Sequence, residues 1–424
     1  MQLISFLDEA LVKEVQATYG TPVYVYDQVT LETQAEQVMA FPNAYGVTAR
    51  YAMKALPSAA VIRVLSDCGL HIDASSGFEA ERAMRAGVPA AHIQVTAQEF
   101  PHNAKDLFDQ GVLFNACSIA QIEAYGALAP NTELSIRVNP GLGSGATNRT
   151  NVGGPGASFG IWHAHLGDAL EAANRHGLTV RRMHTHIGSG SDPEVWEWVA
   201  LMSLDICSRL PDATVLSLGG GYKVGRVKGE VSTDLQKIGL HIVEAFRASA
   251  QKTGKELSLE VEPGTYLVAN AGALVCTAID VVDTGDEGYH FIKVDGGMTE
   301  IVRPSMYGSQ HPIEVVPGDD DPRRMVEYVV AGHCCESGDV LTPAPDDPET
   351  LAPRLLTETR IGDAVVIGGA GAYCAGMSTK NYNTFPEAAE VMVARDGSHE
   401  LIRERQTIDQ ILQNERMPSF LSKK

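Results

Sequence analysis

The chain contains no apolar run approaching the ~18 consecutive residues that a membrane-spanning helix needs. Its first stretch, "MQLISFLDEALVKEV", places acids early, where a secretory signal carries a basic segment and a long apolar core. Basic residues are few: 33 Lys and Arg face 53 Asp and Glu, a formal net charge of -20. That balance argues against nucleic acid or an anionic membrane surface as the main partner, because both attract basic patches. Only seven cysteines occur, Cys68, Cys117, Cys207, Cys276, Cys334, Cys335 and Cys374. They are scattered and odd in number, which fits a reducing compartment better than a disulfide framework. Neighbouring Cys334 and Cys335 match neither an ordinary structural bridge nor a zinc knuckle. No glycine fingerprint follows the first predicted strand, and the spacing of "LGGGY" matches neither that fingerprint nor a P-loop, so NAD and ATP are not indicated. Together these absences predict a cytoplasmic protein.

What is present is ample apolar content, 44% of 424 residues, enough for a substantial core in two or so domains. From about residue 45, short apolar runs alternate with stretches of helical period. The predicted strands are Thr48–Met53, Leu70–Asp73, Ile93–Thr96, Val112–Asn115, Glu133–Val138, Val180–His186, Thr214–Leu218 and Leu257–Val261. Segments such as "GFEAERAMRAG" and "DLQKIGLHIVEAFRASAQKTG" read as the intervening helices, the second closed by a glycine suited to a C-cap. Eight such units predict a closed (β/α)8 TIM barrel, with an open doubly wound sheet as the alternative. After about Ala271, β-branched runs separated by Gly, Asp and Pro predict a mostly antiparallel β domain, which the early strand "TPVYVYD" could join. The expected division is 1–28 joining the β domain, 29–270 the barrel and 271–424 the C-terminal β-sandwich or β-barrel-like domain. "NPGLGSGATNRTNVGGPGAS" and "TPAPDDPETLAP" read as loops.

Polar signals gather where the barrel strands end, which is where barrel enzymes place their chemistry. Lys54 ends the first strand; it is either a lysine lying over the core edge or a desolvated Schiff-base nucleophile. Asp73, Arg137 and His186 end the second, fifth and sixth strands. Gly219, Gly220 and Gly221 follow the seventh, as a tight turn or as backbone donors to a phosphate. Glu262 follows the eighth, as a loop acid or as partner to a protonated ring nitrogen. His184 and His186 share one side of their strand, and no third metal ligand has convincing spacing, so no metal is expected. A flat imidazole against an aromatic cofactor fits them better. A Schiff-base lysine, a phosphate turn and an acid for a pyridinium are what pyridoxal phosphate requires.

The motifs "YAMKAL", "HIDASSGFE", "HTHIGSGSD", "LGGGY", "EPGTYLVANAG", "RPSMYG", "CESGD" and "GAYCAGMSTKNYN" occur in this order. Through them the chain resembles the barrel-type (fold-type III) pyridoxal-phosphate decarboxylases, and among these diaminopimelate decarboxylase, along essentially its whole length. The resemblance implies that Lys54 is the Schiff-base lysine, that His186 stacks on the pyridine ring and that Glu262 holds its nitrogen protonated. It implies phosphate contacts from Ser189, the Gly219–Gly221 turn, Gly264 and Tyr373, with Asp73 and Arg137 around the ring. Arg303 and Tyr307, with Tyr373, would bind substrate. Cys335, as proton donor, and Glu336, facing a distal ammonium, would enter from the neighbouring subunit of a homodimer.

The implied reaction is decarboxylation of meso-2,6-diaminopimelate to L-lysine and carbon dioxide, the last step of lysine biosynthesis. Two departures bear on it. Relatives commonly carry arginine after "EPG", where this chain has Thr265, which lacks the forked grip of a guanidinium. Ala157 and Ser158 stand where relatives commonly carry a basic residue. The alternative is therefore a related decarboxylase acting on D- or L-lysine, ornithine, arginine or a carboxylated polyamine. A racemase would need a base on each face of the substrate and no loss of carbon dioxide, and a non-catalytic pyridoxal-phosphate carrier could keep Lys54 and the phosphate turn while losing Cys335, Glu336 and Arg303.

Overall fold

A computed structural model describes residues 6–141, 153–186 and 192–421, and the chain divides into two compact units, 1–29 with 269–424 and 30–268. Helix α1 (Glu9–Tyr19) opens the first unit. The Asp8 carboxylate caps it by accepting the Leu11 N–H, and Gly20, at φ +67°, ends it. Val12 and Val15 of α1 pack on Val23 and Val25 of β1 (Val23–Asp27), so the N-terminal segment is fixed to its unit by burial.

The second unit, after α2 (Gln28–Met39), is the barrel. Its strands are β2 (Val47–Ala52), β3 (His71–Ala74), β4 (Ile93–Val95), β5 (Leu113–Ala116) and β6 (Glu133–Asn139), to which the short β7 (Ile161–Trp162) is appended. They continue with β8 (Thr179–His184), β9 (Val215–Ser217) and β10 (Ser258–Val261). All pairings are parallel, in the order β2-β3-β4-β5-β6-β8-β9-β10, and β10 returns to β2, closing an eight-stranded ring. The helices between are α3 (Ala59–Asp67), α4 (Gly77–Arg85), α5 (Ala104–Asp109), α6 (Ile119–Leu128), α7 (Leu166–Arg175), α8 (Pro193–Ser208) and α9 (Leu235–Thr253). Ser76, Ser118 and Asp234 accept the third-residue N–H at the starts of α4, α6 and α9, and Gly254, at φ +72°, ends α9. The predicted strands agree with these to within two residues at each end.

The barrel's inward layers are polar. Glu260 accepts from Arg50 at 3.0 Å and also from Arg182, and Arg50 and Glu260 are both buried. A second network runs from Ser135 to Asn115 at 2.9 Å, from Asn115 to Thr96 at 3.3 Å and from Thr96 to Asp73 at 2.8 Å. These buried polar groups are tolerated because they hydrogen-bond one another across the barrel.

After α10 (Thr265–Val268) the chain returns to the first unit with β11 (Gly272–Asp283), β12 (His290–Val294), α11 (Arg303–Tyr307), β13 (Ile313–Val316) and β14 (Met325–Ala331). The hairpin β15 (Pro343–Ala344) and β16 (Asp347–Leu351) comes next, then β17 (Arg354–Thr357), β18 (Ala364–Ile367), β19 (Ala389–Val393) and β20 (His399–Arg403). One sheet runs β17-β14-β12-β11-β1-β19-β20, with β18 bridging β11 and β13. It is mostly antiparallel and incorporates β1, which pairs antiparallel with β11 and parallel with β19. The stretch read as the loop "TPAPDDPETLAP" contains the β15–β16 hairpin instead: Asp346, at φ +59°, makes the turn that its Asp-Asp-Pro composition concealed. Most of the other predicted loop, 142–152, lies outside the described residues.

Candidate active site

The barrel brings Lys54, Asp73, Arg137, His186, Gly219, Gly220, Gly221, Glu262 and Gly264 to the ends of parallel strands at one rim. Ser189 lies outside the described residues. The acid at the centre is Glu262, immediately after β10. One carboxylate oxygen meets His184 Nε2 at 2.9 Å; the other accepts from Ser217 Oγ at 3.0 Å and from Gln94 Nε2 at 3.5 Å. Burial alone would raise its pKa, but His184, acting by charge and by hydrogen bond, and the Ser217 hydroxyl hold it well below the usual carboxylate range. Glu262 is therefore a buried, stable anion.

Asp73 goes the other way. Burial and the charge of Glu262 push its carboxyl up, against the pull of Lys54 and of the Thr96 hydroxyl. Lys54 sits in a single 3-10 turn, Met53–Ala55, just beyond β2, with both neighbours buried. Its own side chain is exposed. Its ammonium still acts on Asp73, Glu79 and His186, which places its charge at the same rim.

His186 stands two residues beyond the end of β8 rather than on it. Burial, with the nearby cations of Arg137 and Lys54, keeps the imidazole neutral by pushing its pKa well down. Its buried Nδ1 has no hydrogen-bond partner among the described residues. Arg137 is buried and lies over the Phe159 ring, 5.1 Å from the centroid.

Two of the three glycines stand where nothing larger fits, and the third, Gly221, takes φ +108°. Gly219 takes φ +70°, and a Cβ on it would lie 2.8 Å from His186 Nδ1; a Cβ on Gly220 would lie far inside contact distance of the Glu262 carbonyl. A Cβ on Gly264 would lie 3.3 Å from Ala52, just before the Lys54 turn, and from Ala55, its last residue.

In the other unit the structure brings together Arg303, Tyr307 and Tyr373. The guanidinium lies 5.7 Å from the Tyr307 ring centroid and 5.9 Å from that of Tyr373, and it donates to Ser309 Oγ at 3.3 Å. Cys335 and Glu336 are exposed on a separate loop of the same unit. The adjacent Cys334 differs: burial and the Asp339 carboxylate push its thiol up to about 12.

The barrel residues fit pyridoxal phosphate. A neutral imidazole offers an unpaired face, a glycine turn leaves space at His186, a buried anion waits for a ring proton, and a lysine amine stands at the rim. Among the described residues no group of three or more His, Cys, Asp or Glu is placed to hold a metal ion. Sequence reasoning missed the roles of His184, Ser217 and Gln94 as supports of Glu262. The available signal was position: His184 and Ser217 end β8 and β9, and Gln94 lies on β4 within reach of Glu262.

Comparison with known proteins agrees with this geometry. The family described as "pyridoxal-dependent decarboxylase, pyridoxal binding domain" matches residues 31–269. A diaminopimelate decarboxylase of Streptomyces coelicolor is 35% identical over 97% of this chain and 93% of its own. That of Escherichia coli K12 is 35% identical over 93% of this chain and 94% of its own. A crystal structure of diaminopimelate decarboxylase superposes with a TM-score of 0.90 at 33% identity, covering 97% of this chain and 98% of the other. A lysine amine, a supported carboxylate and a glycine turn on one barrel rim, in a chain this similar along its length, place the protein in the diaminopimelate decarboxylase family of pyridoxal-phosphate-dependent decarboxylases.

Proposed function

We propose that the chain decarboxylates meso-2,6-diaminopimelate to L-lysine and carbon dioxide, as the last step of lysine biosynthesis. The observation that carries this reading is the 35% identity to a diaminopimelate decarboxylase over 97% of the chain. We assign 29–270 as the cofactor-binding barrel and 1–28 with 271–424 as the β domain. The working unit is a cytoplasmic homodimer with active sites shared across its interface. Consistent with that setting, no helix among the described residues is long and apolar enough to cross a membrane.

Pyridoxal phosphate, when bound, supplies the electron sink for the carbon–carbon bond that breaks. Lys54 is the amine that would hold the cofactor and yield to the substrate amine. Glu262, kept anionic by His184, would hold a proton on the ring nitrogen. His186, kept neutral, would lie against the ring without competing for that proton. Gly219, Gly220, Gly221 and Gly264, with Ser189 and Tyr373, would hold the phosphate, and Asp73 and Arg137 would set the field around Lys54. Arg303 and Tyr307, with Tyr373, would grip the substrate's distal carboxylate, and Glu336 would receive its distal ammonium. When carbon dioxide leaves, the electron pair stays with the substrate carbon. Cys335 Sγ would then deliver the replacing proton, and Lys54 would return to release lysine. Cys335 suits this task better than Cys334, whose raised pKa makes it a poor acid near neutrality.

The test is a product assay. Cofactor-loaded protein is incubated separately with meso-diaminopimelate, L-lysine, D-lysine, L-ornithine, D-ornithine and L-arginine, and products are identified by chiral chromatography with mass detection. L-lysine from meso-diaminopimelate alone is expected. Diamines from lysine or ornithine, with diaminopimelate inert, would mean that Thr265 marks a different substrate pocket.

A further inference from the structure

The loop that carries Cys335 is held by more than its own turn. The Cys335 N–H donates to Asn383 Oδ1 at 2.8 Å, from a segment 48 residues away. One residue earlier, the Cys334 N–H donates to Asp339 Oδ2 at 2.9 Å, and Asp339 Oδ1 accepts the Met298 N–H at 2.7 Å. Gly297 and Gly332 leave the room that the Asp339 carboxylate occupies; a Cβ on either would collide with it.

The segment that supplies Asn383 is strained in a specific way. Asn381, Asn383 and Thr384 take φ +60°, +51° and +63°. Asparagine tolerates the left-handed region, but a β-branched threonine there is a true outlier. Such strain persists only where surroundings enforce it, and it collects at functional sites. Two contacts fix this segment to the cysteine loop: the Asn383 bond, and the Phe385 ring stacked on His333 with centroids 3.6 Å apart and planes 8° from parallel.

We propose that Asn383 is a positioning residue for the reaction: its side-chain oxygen fixes the Cys335 backbone and so sets the direction from which Cys335 Sγ delivers its proton. The inference rests on Cys335 being the proton donor. The Asp339 bond fixes the backbone one residue earlier, whereas the Asn383 bond reaches Cys335 itself; misplacement by about 1 Å can lower a rate by about 100-fold.

Two substitutions separate the bond from the backbone strain. Asn383→Gly keeps the backbone at φ +51° without difficulty and removes the acceptor. Asn383→Asp keeps an acceptor of the same shape. Both are compared, as cofactor-loaded full-length protein, with wild type and Cys335→Ala. The readouts are kcat, KM and the configuration of deuterium placed at the reacting carbon during turnover in heavy water. Asn383→Gly is expected to lose kcat by about 10- to 100-fold with KM changed less than about threefold, and to place deuterium in both configurations. Asn383→Asp is expected to retain at least about a third of wild-type kcat and a single configuration. Should Asn383→Gly match wild type while Cys335→Ala is inactive, Asn383 does not position the thiol although the thiol is the donor. Should Cys335→Ala itself keep wild-type turnover and a single configuration, the donor assignment fails and this inference with it. Equal losses in Asn383→Gly and Asn383→Asp would show that the segment matters for folding and not through this bond.

Discussion

Asp73 and Glu262 are two carboxyls buried in one barrel rim, and their surroundings drive them apart. Glu262 meets His184 and Ser217 directly, so its charge is stabilised; Asp73 has one hydroxyl partner and a like charge nearby. Separated protonation states in one pocket are the usual way a fold divides acid and base roles. The consequence for stability has a definite sign. In the cofactor-free protein the folded-state value of Asp73 is raised to about 8, above an unfolded value of about 3.9. The folded state keeps a proton that the unfolded chain releases, so the Asp73 contribution weakens as pH rises from about 4 to about 8. Glu262, with its value lowered, behaves oppositely: its contribution is present above its unfolded value and is lost as pH falls through the folded one. Asp73→Asn, which cannot ionise, is therefore expected to melt progressively higher than wild type between pH 4 and pH 8. Paired thermal scans of cofactor-free protein check this, and a difference that does not vary with pH would contradict it.

At the scale of elements, the rim depends on three short turns following β2, β9 and β10. The Gly219–Gly221 turn is the most constrained, because Gly220 packs against the Glu262 backbone itself. Gly220→Ala must move either the turn or the acid, so it is expected to destabilise the fold by about 1–3 kcal/mol and to weaken cofactor binding at least about tenfold. Denaturant unfolding and an absorbance titration with pyridoxal phosphate measure the two effects separately. An unchanged cofactor affinity would mean that the phosphate is held elsewhere. The same turns show what a sequence reveals. Barrel strands such as Ile93–Val95 and Ser258–Val261 were legible because their short apolar runs stand between helical periods and turn residues. The rim was legible because its polar residues cap those runs. The Glu262–His184 pair was not, since it joins strands 78 residues apart and its register depends on barrel closure. Lys54 is legible at the rim because it ends an apolar run, whereas the three-residue turn that carries it leaves no periodic trace. The Asn383 bond to Cys335 was hidden for the same reason: local pattern carries no information about contacts made across 48 residues.

At the scale of the whole molecule, the proposed homodimer would draw Lys54 from one subunit and Cys335 from the other at each active site. Exchange of subunits between Lys54→Ala and Cys335→Ala, each inactive alone, is expected to restore up to about a quarter of wild-type activity, since half the dimers are mixed and each mixed dimer has one intact site. No recovery after verified exchange would place both residues in one subunit's site. The proposed role of Lys54 as the amine that holds the cofactor has a direct chemical test. Cofactor-loaded protein is reduced with borohydride, digested and analysed by mass spectrometry. A pyridoxyl mass is expected on the peptide containing Lys54 and on no other lysine; a modification elsewhere, or none in protein that retains the cofactor, would contradict the role of Lys54.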